Sequence, residues 1–414
     1  MARTLSVAIV LAALLAASAG ARGVVPAPEV TGPRATSSAR PVFGFRASGA
    51  IGFVCSFDSP RLHRCAARYS EPLAPGRHVL RVRAVAKGGK VSRIVVVTVV
   101  VTRAAPAPPA LVAGPPIAVG PGPGIPSVGG GAVWVPNSSD GTVMRIDPST
   151  GAVTATIAGL PAAPTELGCE PFVACGYLNA CIVWDGDVWV TSDFGEIVAR
   201  IDGSSNRVLD RIAVPPRPGG LAAGGGFLWV FHTLRPVVTR IDPASGSASS
   251  FTVPDAQGAG IVYAGGSVWL LSVNPAAVLR LDPQTLAVTA RVPLQPFGVR
   301  HPFRQAWSLA ADERSLWAAN PNYDMVTQVD VATATVKQHV RLPRDQPFGV
   351  TLAGGAVWVA ARTGVVRIDA ATGAVTAELI LPTAGSGYTG VASGFDAAWV
   401  TNFDRNTLTR VRPR

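Results

Sequence analysis

From about residue 125 to the end of the chain, apolar and polar positions repeat with one period. An apolar–Trp–apolar core recurs at Trp134, Trp189, Trp229, Trp269, Trp317, Trp358 and Trp399, at spacings of 55, 40, 40, 48, 41 and 41 residues. A second element follows each Trp: Arg145-Ile146-Asp147, Arg200-Ile201-Asp202, Arg240-Ile241-Asp242, Arg280-Leu281-Asp282, Gln328-Val329-Asp330, Arg367-Ile368-Asp369 and Arg410-Val411-Arg412. Its third residue lies 13 positions past the Trp in six copies and 11 in one. Gly-rich turns such as 129–131 and 265–266 precede the Trp, and Pro/Thr/Gly turns such as 148–151 follow the Asp. Each copy therefore reads as four short strands, A to D. Strand B carries the Trp and strand C the Arg-Ile-Asp. Four strands in about 40 residues make one β-propeller blade, so seven copies predict an all-β, seven-bladed propeller. The seventh copy stops at Arg414, with no room for its strand D. Residues 111–119 look like the missing strand, and a ring closed from both termini leaves no open edge.

The blade pattern Gly-Gly-x-apolar-Trp-Val … Arg-Ile-Asp-Pro-x-Thr-Gly-x-Val resembles the YVTN-type and virginiamycin B lyase-like propellers over residues 125–414. The resemblance implies the propeller fold. It also raises a metal-dependent lyase or hydrolase as an alternative function, because that enzyme type uses a His base and a metal held by carboxylates. No His is paired with Glu at matching loop positions. His232 has Phe231 and Thr233 as neighbours, and His301 has Arg300 and Pro302. The expected A strands, residues 124–128, 179–183, 219–223, 259–263, 307–311, 348–352 and 389–393, contain no Asp, Glu or His, so a hard cation in the channel lacks its usual ligands. We therefore expect no catalytic residue, metal or cofactor.

Ahead of the repeat, residues 28–103 read as a small β-sandwich with strands at 40–47, 52–57, 78–86 and 91–102. Residues 78–85 alternate with period two, which sets Arg81 and Arg83 on the face opposite Leu80, Val82 and Ala84. Cys55 and Cys65 flank the turn at 58–60, a spacing that suits a hairpin disulfide. The pattern of Cys, turn, Cys, then LAPGRHVLRVRAV and a Val-rich strand resembles the Ig-like repeats of exported bacterial proteins, which implies a spacer or adhesion module. Residues 104–124 form a Pro/Gly linker and closing strand, and the propeller proper occupies 125–414.

Charge sharpens the division. Residues 22–103 hold fourteen Arg and Lys against three acids, while 21 cations face 22 acids from residue 104 onward. The net charge of +11 thus resides in the sandwich. Attraction to an anionic cell-envelope polymer is the expected consequence. Aromatics are not interleaved with the basic residues, so specific nucleic-acid stacking is not expected. Residues 1–21 read as a signal peptide: Arg3, an apolar stretch at 5–16, and small-residue cleavage sites ending at Ala19 or Ala21. No later apolar run has the ~20 residues of a membrane span. The expectation is a secreted or envelope-associated protein, not an integral membrane protein. Disulfides are then the default for its five Cys, with Cys169–Cys175 the candidate second pair, although any of Cys169, Cys175 and Cys181 can be the odd thiol.

Repeated residues build the scaffold, so function is sought where the copies differ. The D–A and B–C loops share one face of a propeller. On that face the candidate binding residues are His232, Arg300, His301, Arg304, Asn320 and Tyr323, with Asp193, Glu196 and Arg235 beside them. The sequence reading is a non-catalytic binding scaffold whose ligand or protein partner meets this loop face.

Overall fold

The computed structural model describes residues 24–102, 110–162, 180–273, 276–294, 308–343, 346–382 and 388–414. The chain divides into two compact units, Met1–Ala107 and Pro108–Arg414. Apart from two single 3-10 turns, the regular structure of the described residues is all strand.

In the first unit, a three-stranded sheet (Glu29–Thr31, Phe43–Arg46, Arg68–Tyr69) faces a five-stranded one (Ala35–Thr36, Val95–Val101, Gly76–Ala86, Ala50–Phe57, His63–Cys65). Phe43 and Phe45 from the first sheet and Phe53, Leu80, Val82 and Val99 from the second share one buried core. The period-two reading of residues 78–85 holds, with Leu80, Val82 and Ala84 fully buried. Cys55 and Cys65 form the expected disulfide. Four short strands escaped the sequence reading, because two- and three-residue ladders carry too little alternation to register. His78 clamps two turns: Nδ1 meets Asp58 Oδ2 and Nε2 meets the Ala74 carbonyl, both at 2.6 Å. Asp58 holds the His78 imidazole above its ordinary pKa.

In the second unit, seven antiparallel sheets follow one another among the described residues. In the first six, four strands pair in chain order; blade one, for example, is Ser127–Gly129, Ala132–Asn137, Thr142–Ile146 and Val153–Ile157. The A–B turns explain the glycine pairs. Gly130 and Gly131 both hold positive φ, at 57° and 73°, as a two-residue turn between right-twisted strands requires. Blade seven makes the same turn with Phe395 and Asp396 at positive φ.

Blade seven takes its outer strand from the amino-terminal flank. Its own strands are Tyr388–Gly394, Ala397–Asn402 and Thr407–Pro413. Against the last of these lie Leu111–Ala113 and Ile117–Ala118, in the registers Pro413↔Leu111, Val411↔Ala113 and Leu408↔Ile117. The ring is also locked inside, where the Thr401 hydroxyl donates to the Gly124 carbonyl at 2.9 Å.

The Trp residues fasten neighbouring blades. Trp134 shares a core with Val188 and Val190 of blade two, Trp269 with Leu316 and Val329 of blade five, and Trp399 with Val133 and Val135 of blade one. The indole N–H of Trp134, Trp229, Trp269 and Trp399 donates to the carbonyl five residues earlier, at 3.0–3.2 Å. The Arg of each repeat sits directly across the ladder from the Trp. An acid partner is the ordinary expectation for such an Arg, but among the described residues only Arg200 has one, Asp187 at 2.6 Å. Instead Arg145, Arg200, Arg280, Arg367 and Arg410 lie 5.1–5.7 Å above the ring of their own Trp. The electron-rich Trp face attracts the cation, an interaction worth about 0.5–1 kcal/mol each where exposed. The Asp that follows behaves as its position implies. Asp147 accepts from the Ser149 hydroxyl and from the backbone of Thr150 and Ser149, and these bonds pull its pKa down to about 2.

Candidate functional site

Strand A begins at the ring's centre in every blade. The first residues of the seven A strands together line an axial cavity of about 400 Å³, walled among others by Ile125, Ile182, Leu221, Ile261, Leu309, Phe348 and Val391. Phe231, near the end of a B strand, and Leu234 and Phe403, just beyond two B strands, add to the wall and place the cavity toward the D–A and B–C loops. Close packing at blade three depends on glycine. A Cβ at Gly220 would stand 2.7 Å from the Phe231 ring, so the ring can lie flat against the strand.

The sequence-derived candidates have different fates. Each B strand ends in a residue withdrawn from solvent: Asn137, Ser192, His232, Val273, Asn320, Ala361 and Asn402 are all buried. His232 is therefore inside blade three, not on its rim. Its Nδ1 donates to the Pro216 carbonyl at 3.1 Å, which leaves Nε2 to accept from the Thr239 hydroxyl at 2.8 Å. Burial holds its pKa below the ordinary value. A neutral imidazole with both nitrogens engaged is a strut, not a base. Asn320 is also fully buried, and neither amide atom has a hydrogen-bond partner among the described residues. Tyr323 ends the short 3-10 turn Pro321–Tyr323 and is partly exposed. Arg300, His301, Arg304, Cys169 and Cys175 lie outside the described residues. Cys181 is free and buried, its Sγ 3.5 Å from the Trp134 carbonyl, and burial pushes its thiol pKa far up.

The structure gathers another set of charges near the cavity. Arg217 lines it and is the one charged residue to do so among the described residues. Asp193, at the B–C corner of blade two, lies in the field of Arg217, Glu196 and Arg235. Burial raises its pKa to about 6, against the opposing pull of Arg217 and Arg235. Sequence reasoning named Asp193 but missed Arg217. The only signal was its place between Pro216 and Pro218, immediately ahead of an A strand.

Asp193 should make stability depend on pH. In the unfolded chain its carboxyl ionises near pH 4, so the folded protein loses stability as pH rises from about 4 to 6 and bears the full cost above that. Because the group is partly exposed, solvent screening reduces the cost to about 1 kcal/mol. Asp193→Asn is expected to gain that much in urea melts at pH 8 and nothing at pH 4; an equal gain at both would remove ionisation as the cause.

Among the described residues, no three His, Cys, Asp or Glu side chains converge so as to hold a metal ion. No helix there is long and apolar enough to cross a membrane.

The first unit offers a different surface. On the outer face of the five-stranded sheet, Val54 pairs with Arg64 on one side and Arg83 on the other, while Arg81 pairs with Val96 and Arg77 with Val100. Arg77, Arg64, Val96 and Val100 are exposed. The excess charge read from the sequence thus includes a row of guanidinium groups on one sheet face.

No protein-family model matches the chain, and no curated protein matches it. Among solved structures, the selenomethionine-substituted virginiamycin B lyase from Staphylococcus aureus is similar, with a TM-score of 0.55 at 15% identity, covering 73% of this chain and 99% of that one. At this identity the likeness concerns the propeller fold alone.

Proposed function

We propose that this protein is an exported, non-catalytic binding protein. Its propeller receives an apolar ligand in the axial cavity, and its basic amino-terminal sandwich, an Ig-like module, attaches it to an anionic envelope polymer. The observation that carries the reading is the cavity itself. All seven blades contribute to it, its wall is largely apolar, and its volume of about 400 Å³ falls in the range of roughly 300–1,000 Å³ usual for small-molecule sites. The Cys55–Cys65 disulfide supports export, because such bonds persist in oxidising compartments. The Arg and Val face of the sandwich supports attachment to a polyanion.

Gly260 gives a clean test. It lines the cavity, and a Cβ there would meet nothing closer than 3.4 Å, so a larger side chain has room to start. Gly260→Phe is expected to lower the affinity for an environment-sensitive apolar dye at least about tenfold, with melting unchanged. Equal dye binding by both proteins would place the ligand elsewhere. The fold likeness to a lyase favours one second reading, a metal-dependent lyase or hydrolase. Conversion of virginiamycin B in the presence of a divalent cation, followed by chromatography, would establish that reading instead.

A further inference from the structure

We infer that the ligand of the axial cavity has an apolar body and a single anionic group, and that the Arg217 guanidinium meets this group at the cavity wall. The inference rests on the cavity-binding reading and specifies the ligand's chemistry. Blade symmetry is the first argument. The corner that carries Arg217 is a feature of the repeat: Arg217 precedes Pro218 at φ 65°, and in blade six Gln346 precedes Pro347 at φ 54°. In both blades the corner carbonyl accepts a backbone N–H from just past strand B, Thr233 N to Arg217 O at 2.8 Å and Arg362 N to Gln346 O at 3.2 Å. The strained backbone is therefore architecture, and what blade three adds to it is the charge.

The second argument concerns the other polar groups of the wall. Ser127 Oγ accepts from Val183 N and Ser308 Oγ from Val350 N, each at 3.2 Å. The Thr351 and Ser393 hydroxyls bond each other at 2.9 Å, and Ser393 also donates to the Leu352 carbonyl. These hydroxyls serve the contacts between blades. Among the described residues the Arg217 guanidinium makes no hydrogen bond and no ion pair within 4.0 Å, although it lies in the field of Asp193. A cation beside an apolar cavity favours an anion strongly, because little water screens the pair. The planar fork of Arg suits a carboxylate in particular.

The test uses the full mature chain at pH 7.5 and three ten-carbon probes with different head groups: decanoate, decanol and decylammonium. Decanoate is expected to bind about tenfold more tightly than decanol, the size of one charge-assisted hydrogen bond, and decylammonium more weakly than either. Arg217→Met should bring decanoate down to the affinity of decanol and leave decanol unchanged, while Arg217→Lys keeps most of the preference. Equal binding of decanoate and decanol, or a preference that survives in Arg217→Met, overturns the role of Arg217 and leaves the cavity reading in place. If all three probes bind Gly260→Phe as they bind the unaltered chain, the cavity reading fails instead.

Discussion

Deletion of residues 105–120 is expected to convert a soluble, cooperatively melting protein into one that aggregates. The deletion removes both strands that cover Thr407–Pro413. It also strips Leu111 from the core that holds Val411, and Val119 from the core that holds Trp399 and Leu408. What remains is a seven-residue edge with unpaired N–H and carbonyl groups, flanked by newly exposed apolar side chains. Such an edge is a template for pairing with another chain. Size-exclusion chromatography and a thermal melt provide the readout. A monomeric product with a single sharp transition would mean that the amino-terminal strands are an accessory and not the closure of the ring.

The largest point effect is expected from Trp269→Ala, at about 3–5 kcal/mol in urea denaturation. Trp269 is fully buried and packs between Leu271 and Val278 of its own blade and Leu316 and Val329 of the next. The truncation therefore opens a cavity at a joint between blades, where neither side can collapse without shifting a whole sheet. Replacement by Phe separates packing from hydrogen bonding. Trp269→Phe also loses the indole bond to the Ala264 carbonyl at 3.1 Å, whereas the Trp317 indole N–H has no partner to lose among the described residues. Trp269→Phe should thus cost about 1 kcal/mol more than Trp317→Phe. Equal costs would show that the indole bond adds nothing to packing.

The repeat was readable because its signal is redundant. Trp and the Arg-Ile-Asp element keep one offset in six of seven copies, so a departure in one copy does not hide the period. The Gly turns and capping Asp residues are local devices, set by φ and by hydrogen bonds two or three residues away, and they too were legible. The role of the repeat Arg was not. In five copies it lies over the Trp directly across the ladder, with an acid added only for Arg200 among the described residues, and in blade three Arg240 lies over Phe227 and Phe251; only the register of strands B and C brings these rings within reach. The candidate site was less legible still. His232 looked like a rim group because it ends a strand next to a loop, yet the strand's last side chain turns inward and bonds to Thr239. Arg217 carried no motif at all.

The chain's own order of residues determined that the protein is all-β, how many blades it has, where each begins, and that one strand must be borrowed from the amino-terminal flank. These follow from periodicity, turn chemistry and the obligation to pair every buried backbone group, all of which act within or between neighbouring segments. Tertiary structure alone decided which side chains reach the axis. Residues as distant as Ile125, Arg217, Leu309 and Val391 become neighbours only when the ring closes. Their convergence depends on the tilt and depth of seven sheets, which no local pattern encodes.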